Sequence, residues 1–125
     1  MKPFHLSIGS KSIEDSVQFY TEVLPGRVVH RDHTGYVNLE LFGAQVTLKD
    51  NPSIDPELPD FHFGFNLSLS EFDELSGRIQ SNYASFIAIK PKVVDGGTAM
   101  ERKKIYLKSP TGYLVELKGY RGDGQ

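Results

Sequence analysis

The sequence predicts an α+β fold: two βαβββ modules forming a mixed-sheet cup, with the helices on its outer face. Three observations carry that expectation. From Asp60 to Ser70 the chain reads D-F-H-F-G-F-N-L-S-L-S, in which Phe61, Phe63, Phe65, Leu67 and Leu69 alternate strictly with His62, Gly64, Asn66 and Ser68. A period of two marks a strand with one apolar and one polar face. The dipeptide Phe61-His62 repeats Phe4-His5, and each is followed by a segment that opens like a Ser-capped helix, at Ser70 and at Ser12. Finally, Gly43-Ala44-Gln45-Val46-Thr47-Leu48-Lys49 returns as Gly112-Tyr113-Leu114-Val115-Glu116-Leu117-Lys118. Self-similarity on this scale implies two copies of one supersecondary unit, neither able to bury its sheet alone.

Taken in order, Phe4, Leu6 and Ile8 form the apolar face of a first strand, with His5, Ser7 and Gly9 on the other face. Ser12 opens a helix, Asp15 favours its N-terminus, and Ile13, Val17, Tyr20 and Leu24 follow at helical spacing until Pro25-Gly26 stops it. Strands are predicted at Arg27–Arg31, at Tyr36–Leu41 after the turn His33-Thr34-Gly35, and at Gln45–Lys49 after Phe42-Gly43. Asn51–Asp60 holds Pro52, Pro56 and Pro59 and reads as the linker between a first module of about residues 1–50 and a second of about 61–120, within one domain spanning 1–125. The second module opens with Phe61–Leu69, then a helix capped by Ser70 with Phe72, Leu75 and Ile79 inward. A strand within Ser85–Val94 ends near Pro91, before the loop Asp95–Glu101. Lys103–Lys108 and Tyr113–Tyr120 flank the turn Ser109-Pro110-Thr111-Gly112, and Arg121–Gln125 is expected to fray.

Composition narrows the function. The 125 residues suffice for a self-sufficient core. With no cysteine there is no disulfide, thiolate ligand or cysteine nucleophile, so any metal must be held by His and carboxylate. A net charge near −2 offers no basic surface for nucleic acid. No apolar run approaches the roughly 20 residues needed to span a membrane. Alternation that begins at Phe4 leaves no signal peptide to expect, and a cytoplasmic location is the default.

The repeat also proposes a site. His5 and His62 are one equivalent pair, Thr47 and Glu116 another. Strand parity places Val46, Leu48, Val115 and Leu117 toward the helices, and hence Thr47 and Glu116 toward the concave side. Two imidazoles and one carboxylate, His5, His62 and Glu116, suit a divalent metal ion that keeps open positions: Fe2+ or Mn2+ in the manner of non-haem facial triads, with Zn2+ or Ni2+ as further options. Thr47 faces the same place, and Asn66, four residues beyond His62 on the same face, is a candidate to touch a bound substrate. Weaker candidates are Tyr36, Asn38 and Glu40 on one hairpin face; Arg102, Lys104 and Lys108 for an anionic substrate; and Asp95-Gly96-Gly97 as a lid hinge. His30 and His33 are expected to be exposed beside a turn.

These residues resemble the vicinal oxygen chelate superfamily, which includes glyoxalase I, fosfomycin resistance enzymes, bleomycin resistance proteins and extradiol dioxygenases. The resemblance spans the whole chain. It is carried by Phe4-His5-Leu6-Ser7-Ile8, by Ser16–Leu24 with its Phe19-Tyr20, by Phe61-His62-Phe63-Gly64, and by Tyr106–Leu117, where Ser109 takes the usual Asp place. It implies paired βαβββ modules around a metal, in a homodimer whose sites are shared between chains. It also implies roles for Tyr106, ten residues before Glu116, as a catalytic residue, and for Ser7, a hydroxyl two residues after the first His, in binding substrate.

Departures from the family pattern narrow the reaction. Thr47 stands where glyoxalase I has a carboxylate for proton transfer, and a hydroxyl is a poor proton acceptor near neutrality. The acid/base His of extradiol dioxygenases has no counterpart near Thr47, and Asp95–Ala99 does not reproduce the potassium and phosphonate residues of fosfomycin enzymes. The resulting expectation is a divalent-metal-dependent enzyme that binds a small-molecule substrate through adjacent oxygens, dioxygenase-like or glyoxalase/fosfomycin-resistance-like, with a slight preference for the first. The alternative is a metal-free drug-binding protein resembling bleomycin resistance proteins, a type that typically lacks the His5, His62, Glu116 set.

Overall fold

Each half of the chain builds one four-stranded mixed sheet and one helix, in the order β-α-β-β-β. The computed structural model describes residues 4–56 and 61–121. Contacts divide the chain into two units, Met1–Glu57 with Pro110–Gly112, and Leu58–Ser109 with Tyr113–Gln125. The α+β class and the paired modules are therefore as the sequence predicts. The predicted residues Glu57–Asp60 of the linker and the tail beyond Arg121 lie outside the described residues.

In the first unit the strands are β1 (His5–Ser10), β2 (Arg27–Arg31), β3 (Tyr36–Leu41) and β4 (Ala44–Asp50), arranged β1-β4-β3-β2 with β1 parallel to β4. Alternation decides which side each residue faces: Val37, Leu39, Leu41, Val46 and Leu48 are buried at 1% exposure or less. The helix starts where expected, with the Ser12 side chain accepting the Asp15 N–H at 3.3 Å and α1 spanning Ile13–Gln18. It does not continue as a regular helix. Phe19–Val23 form a π-helical turn closed by the Leu24 N–H on the Phe19 carbonyl at 3.1 Å, and the Thr21 hydroxyl donates to the Val17 carbonyl at 2.7 Å. The widened turn brings two consecutive pairs inward, Phe19-Tyr20 and Val23-Leu24, together with Ser16. Ile13 and Val17, predicted on the inward face, are only half-buried. The turn Pro110–Gly112 belongs to this unit, where Thr111 Oγ1 accepts the Lys11 N–H at 3.2 Å and lies 3.3 Å from Ser16 Oγ.

The second unit has β5 (Phe63–Ser68), α2 (Leu69–Asn82), β6 (Ile87–Val94), β7 (Arg102–Lys108) and β8 (Leu114–Tyr120), with sheet order β5-β8-β7-β6 and β5 parallel to β8. Four expectations change here. The strand begins at Phe63, so Phe61 and His62 precede it, and Phe61 is 39% exposed rather than buried. The helix cap is Ser68, not Ser70: its hydroxyl accepts the Glu71 N–H while the Glu71 carboxylate accepts the Ser68 N–H, a reciprocal box that starts the helix at Leu69. β6 does not end near Pro91 but passes through it, with a register shift between Ile89 and Lys92. An edge strand tolerates a residue without an N–H at such a bulge. Arg121 is held rather than frayed, donating to Glu101 at 2.6 Å and to the Thr98 carbonyl at 3.2 Å.

Phe72, Leu75 and Ile79 of α2 are buried as predicted, as are Ile105, Leu107, Val115 and Leu117. At Gly119 a Cβ would stand 2.5 Å from Phe72 Cβ, so glycine there lets α2 lie close on β8. Odd-numbered residues of β7 and β8 thus face α2, and Tyr106, Glu116 and Lys118 face away from it.

Candidate functional site

On the face of β8 away from α2, Glu116 has a side chain only 5% exposed. It is flanked by one residue from each neighbouring strand, Gly64 of β5 and Tyr106 of β7, both directly opposite in register. Gly64 is needed for this closeness: a Cβ there would stand 2.1 Å from the Glu116 carbonyl oxygen. His62, just ahead of β5, brings Nε2 to 3.0 Å from Glu116 Oε1 and sets its ring edge-on to Tyr106, with centroids 5.5 Å apart. The other carboxylate oxygen, Oε2, is sealed from solvent and has no hydrogen-bond partner among the described residues. Burial raises the Tyr106 phenol above its ordinary range, and the Glu116 carboxylate raises it further as hydrogen-bond acceptor and as negative charge. The phenol therefore stays protonated through neutral pH.

A cavity of about 190 Å³ opens beside this group, lined by His62, Gly64, Asn66, Glu116 and Lys118 among others. Lys118 Nζ lies 4.0 Å from Glu116 Oε1. Of the residues singled out from sequence, His62, Glu116, Tyr106 and Asn66 are thus brought together in the second unit.

The remaining candidates lie in the first unit. Ser7 is opposite Thr47 in register and Thr47 opposite Asn38. The Thr47 hydroxyl, on a residue 6% exposed, donates to Asn38 Oδ1 at 2.6 Å. His5 opens β1 and is exposed, two residues from Ser7 on the same face. Asn38 is thereby tied to the Thr47 position rather than merely solvated. Lys118 was not singled out from sequence, although its place two residues after Glu116 fixes it on the same face. The proposed hinge Asp95-Gly96-Gly97 is tied by its own bonds, Thr98 Oγ1 to the Asp95 carbonyl at 2.7 Å and the Gly97 N–H to Glu101 at 3.0 Å.

Among the described residues no three His, Cys, Asp or Glu side chains gather into a metal cluster within either unit. The His62–Glu116 pair nonetheless fits a divalent ion. A His nitrogen and a carboxylate oxygen 3.0 Å apart are donor types that such ions take, and the second carboxylate oxygen beside them is buried without a partner among the described residues.

Two modules of the order β-α-β-β-β, each with one four-stranded mixed sheet, define the class of fold. The chain belongs to the glyoxalase/bleomycin resistance protein/dioxygenase superfamily, whose sequence model matches residues 2–117. Solved structures share the fold. A glyoxalase/bleomycin resistance protein/dioxygenase from Alicyclobacillus acidocaldarius is 23% identical with a TM-score of 0.77, over 94% of this chain and 89% of that one. The fosfomycin resistance protein FosX of Listeria monocytogenes, in a mutant form complexed with Mn(II) and 1S,2S-dihydroxypropylphosphonic acid, is 17% identical with a TM-score of 0.72, over 93% and 87%. Lactoylglutathione lyase from Agrobacterium tumefaciens is 16% identical with a TM-score of 0.66, over 93% and 91%. At these identities the likeness is one of fold.

Proposed function

We propose that this protein is a divalent-metal-dependent enzyme acting on a small molecule held through adjacent oxygens. The observation that carries the reading is the buried Glu116 carboxylate, with one oxygen against His62 and the other without a partner. A buried carboxylate oxygen without a hydrogen-bond partner is costly, and a cation beside it would complete it. His62 and Glu116 would hold the ion, and His5, the repeat equivalent of His62, is proposed as a further ligand. Bound there, a divalent ion would act as a Lewis acid on substrate oxygens.

The chain's own residues account for the rest. Tyr106 stays protonated, and its single proton, directed at Glu116 without substrate, would turn to a substrate oxygen as negative charge develops there. Asn66 borders the cavity beside His62 and Glu116 and is read as a substrate contact. Ser7 and Thr47 are proposed as further substrate contacts, Thr47 as an acceptor because its proton is spent on Asn38. The Listeria protein, with Mn(II) and a diol phosphonate in the same fold, supports both an ion of this kind and a ligand with neighbouring oxygens. The reaction is dioxygenase-like or glyoxalase/fosfomycin-resistance-like, in a homodimer.

Elemental analysis of the protein purified without added metal tests the reading. A stoichiometric divalent ion is expected in wild type and is lost from a folded His62→Ala. Equal metal content in the two proteins overturns it. Sedimentation at micromolar concentration is expected to give a dimer.

A further inference from the structure

A row of lysines crosses the same sheet face one strand repeat from Glu116. Lys118 of β8 lies opposite Lys104 of β7, Lys104 lies opposite Lys92 of β6, and Asn66 of β5 closes the row. The register shift at Pro91 is what sets Lys92 against Lys104. Residues directly opposite on adjacent strands put their side chains on one side, with Cβ atoms about 5 Å apart, and like charges so placed repel. Little acid offsets them. Lys118 approaches Glu116 only at 4.0 Å, and Lys104 and Lys92 have no ion-pair partner among the described residues. Their neighbours on β7 behave differently: Lys103 pairs with Asp73 of α2 at 2.8 Å and Arg102 with Asp95 at 3.0 Å. Three aligned ammonium groups, two of them without an ion-pair partner among the described residues and the third only 4.0 Å from a single carboxylate, with an amide at one end, match an oxyanion.

We propose that Lys118, Lys104 and Lys92, with Asn66, seat a carboxylate, phosphonate or phosphate group of the substrate. The row is displaced from Glu116 by two residues, roughly 7 Å along the strand. A substrate spanning both places is a compact anion whose charged head is joined by a short chain to the oxygens facing His62 and Glu116. The adjoining cavity of about 190 Å³ accommodates such a head. The substrate assignment rests on the metalloenzyme reading for its other end, but the oxyanion seat does not.

Calorimetric titration of the full chain, as purified, with methylphosphonate at low ionic strength tests the seat. Saturable binding is expected. Lys104→Met and Lys118→Met should each weaken it about tenfold, while melting a degree or two higher because a like-charge contact is gone. Competition by acetate as well as by inorganic phosphate marks a seat for any small oxyanion, and competition by phosphate alone marks a phosphonate or phosphate ester; either supports the proposal. Wild type freed of metal by EDTA should still bind methylphosphonate saturably. Absence of metal with retained anion binding overturns the metalloenzyme reading and leaves the seat standing. Wild type that does not bind methylphosphonate, or lysine variants that bind it as tightly as wild type, overturns the seat.

Discussion

In the first unit Ser7, Thr47 and Asn38 lie side by side across β1, β4 and β3; in the second, Gly64, Glu116 and Tyr106 take the same three places across β5, β8 and β7. His5 stands two residues before Ser7, as His62 does before Gly64. One register therefore carries two chemistries. The first unit satisfies its central residue internally, with a neutral hydroxyl spent on a neutral amide. The second leaves a carboxylate oxygen unpaired against a histidine and a phenol. Even the backbone differs, since Glu116 tolerates only a glycine beside it, whereas Thr47 accepts the side chain of Ser7. Symmetry of the repeat does not bring symmetry of the side chains: the same three places hold a closed hydrogen bond in one unit and a carboxylate oxygen without a partner in the other.

Substitutions at equivalent places sharpen this contrast. Gly64→Ala forces a Cβ against the Glu116 carbonyl and should cost about 3 kcal/mol, while Ser7→Ala should change stability by less than about 0.5 kcal/mol. Chemical denaturation of the two variants side by side measures the difference, and equal losses would erase it. Thr47→Glu gives the first unit the carboxylate of the second. Burying it should cost the metal-free protein about 2 kcal/mol, with the loss recovered and metal affinity raised once a divalent ion is added. Thermal melts with and without Mn2+ read this out, and a loss indifferent to metal would show that the two places are not equivalent.

Removing polarity should act with opposite signs in the two units. Glu116→Met removes a buried carboxylate oxygen that has no partner and should stabilise the metal-free protein by about 1 kcal/mol while lowering metal affinity at least about a hundredfold. Thr47→Val strands Asn38 and should destabilise by about 1 kcal/mol. Melts combined with metal analysis check both.

The smallest effect concerns pH. Because the Tyr106 phenol is raised in the folded protein, the protonated form is favoured by folding. Its contribution is fully present below the ordinary tyrosine pKa of 10.0 and is lost as pH rises through the raised value. Tyr106→Phe should flatten the alkaline limb of a melting profile.

What the sequence determined by itself was mostly local. Alternation in Gly43–Lys49 and Gly112–Lys118 was enough to turn Thr47 and Glu116 from the helices, because a strand's period of two is a property of one chain segment. The Ser12 cap, the inward face of the second helix and the two-module order were legible for the same reason. Tertiary structure decided what depends on neighbours. The π-helical turn at Phe19–Val23 selected which apolar pairs the core accepts, and the choice of Ser68 over Ser70 followed from where Glu71 reaches back. Pro91 looked like a strand end because its missing N–H breaks a ladder, yet on an edge strand that N–H has no partner to lose, and the strand continues to Val94. The lysine row is the plainest case. Lys92, Lys104 and Lys118 are far apart in sequence, and only the pairing of β6, β7 and β8, with one bulge to shift the register, brings three like charges into line beside Glu116.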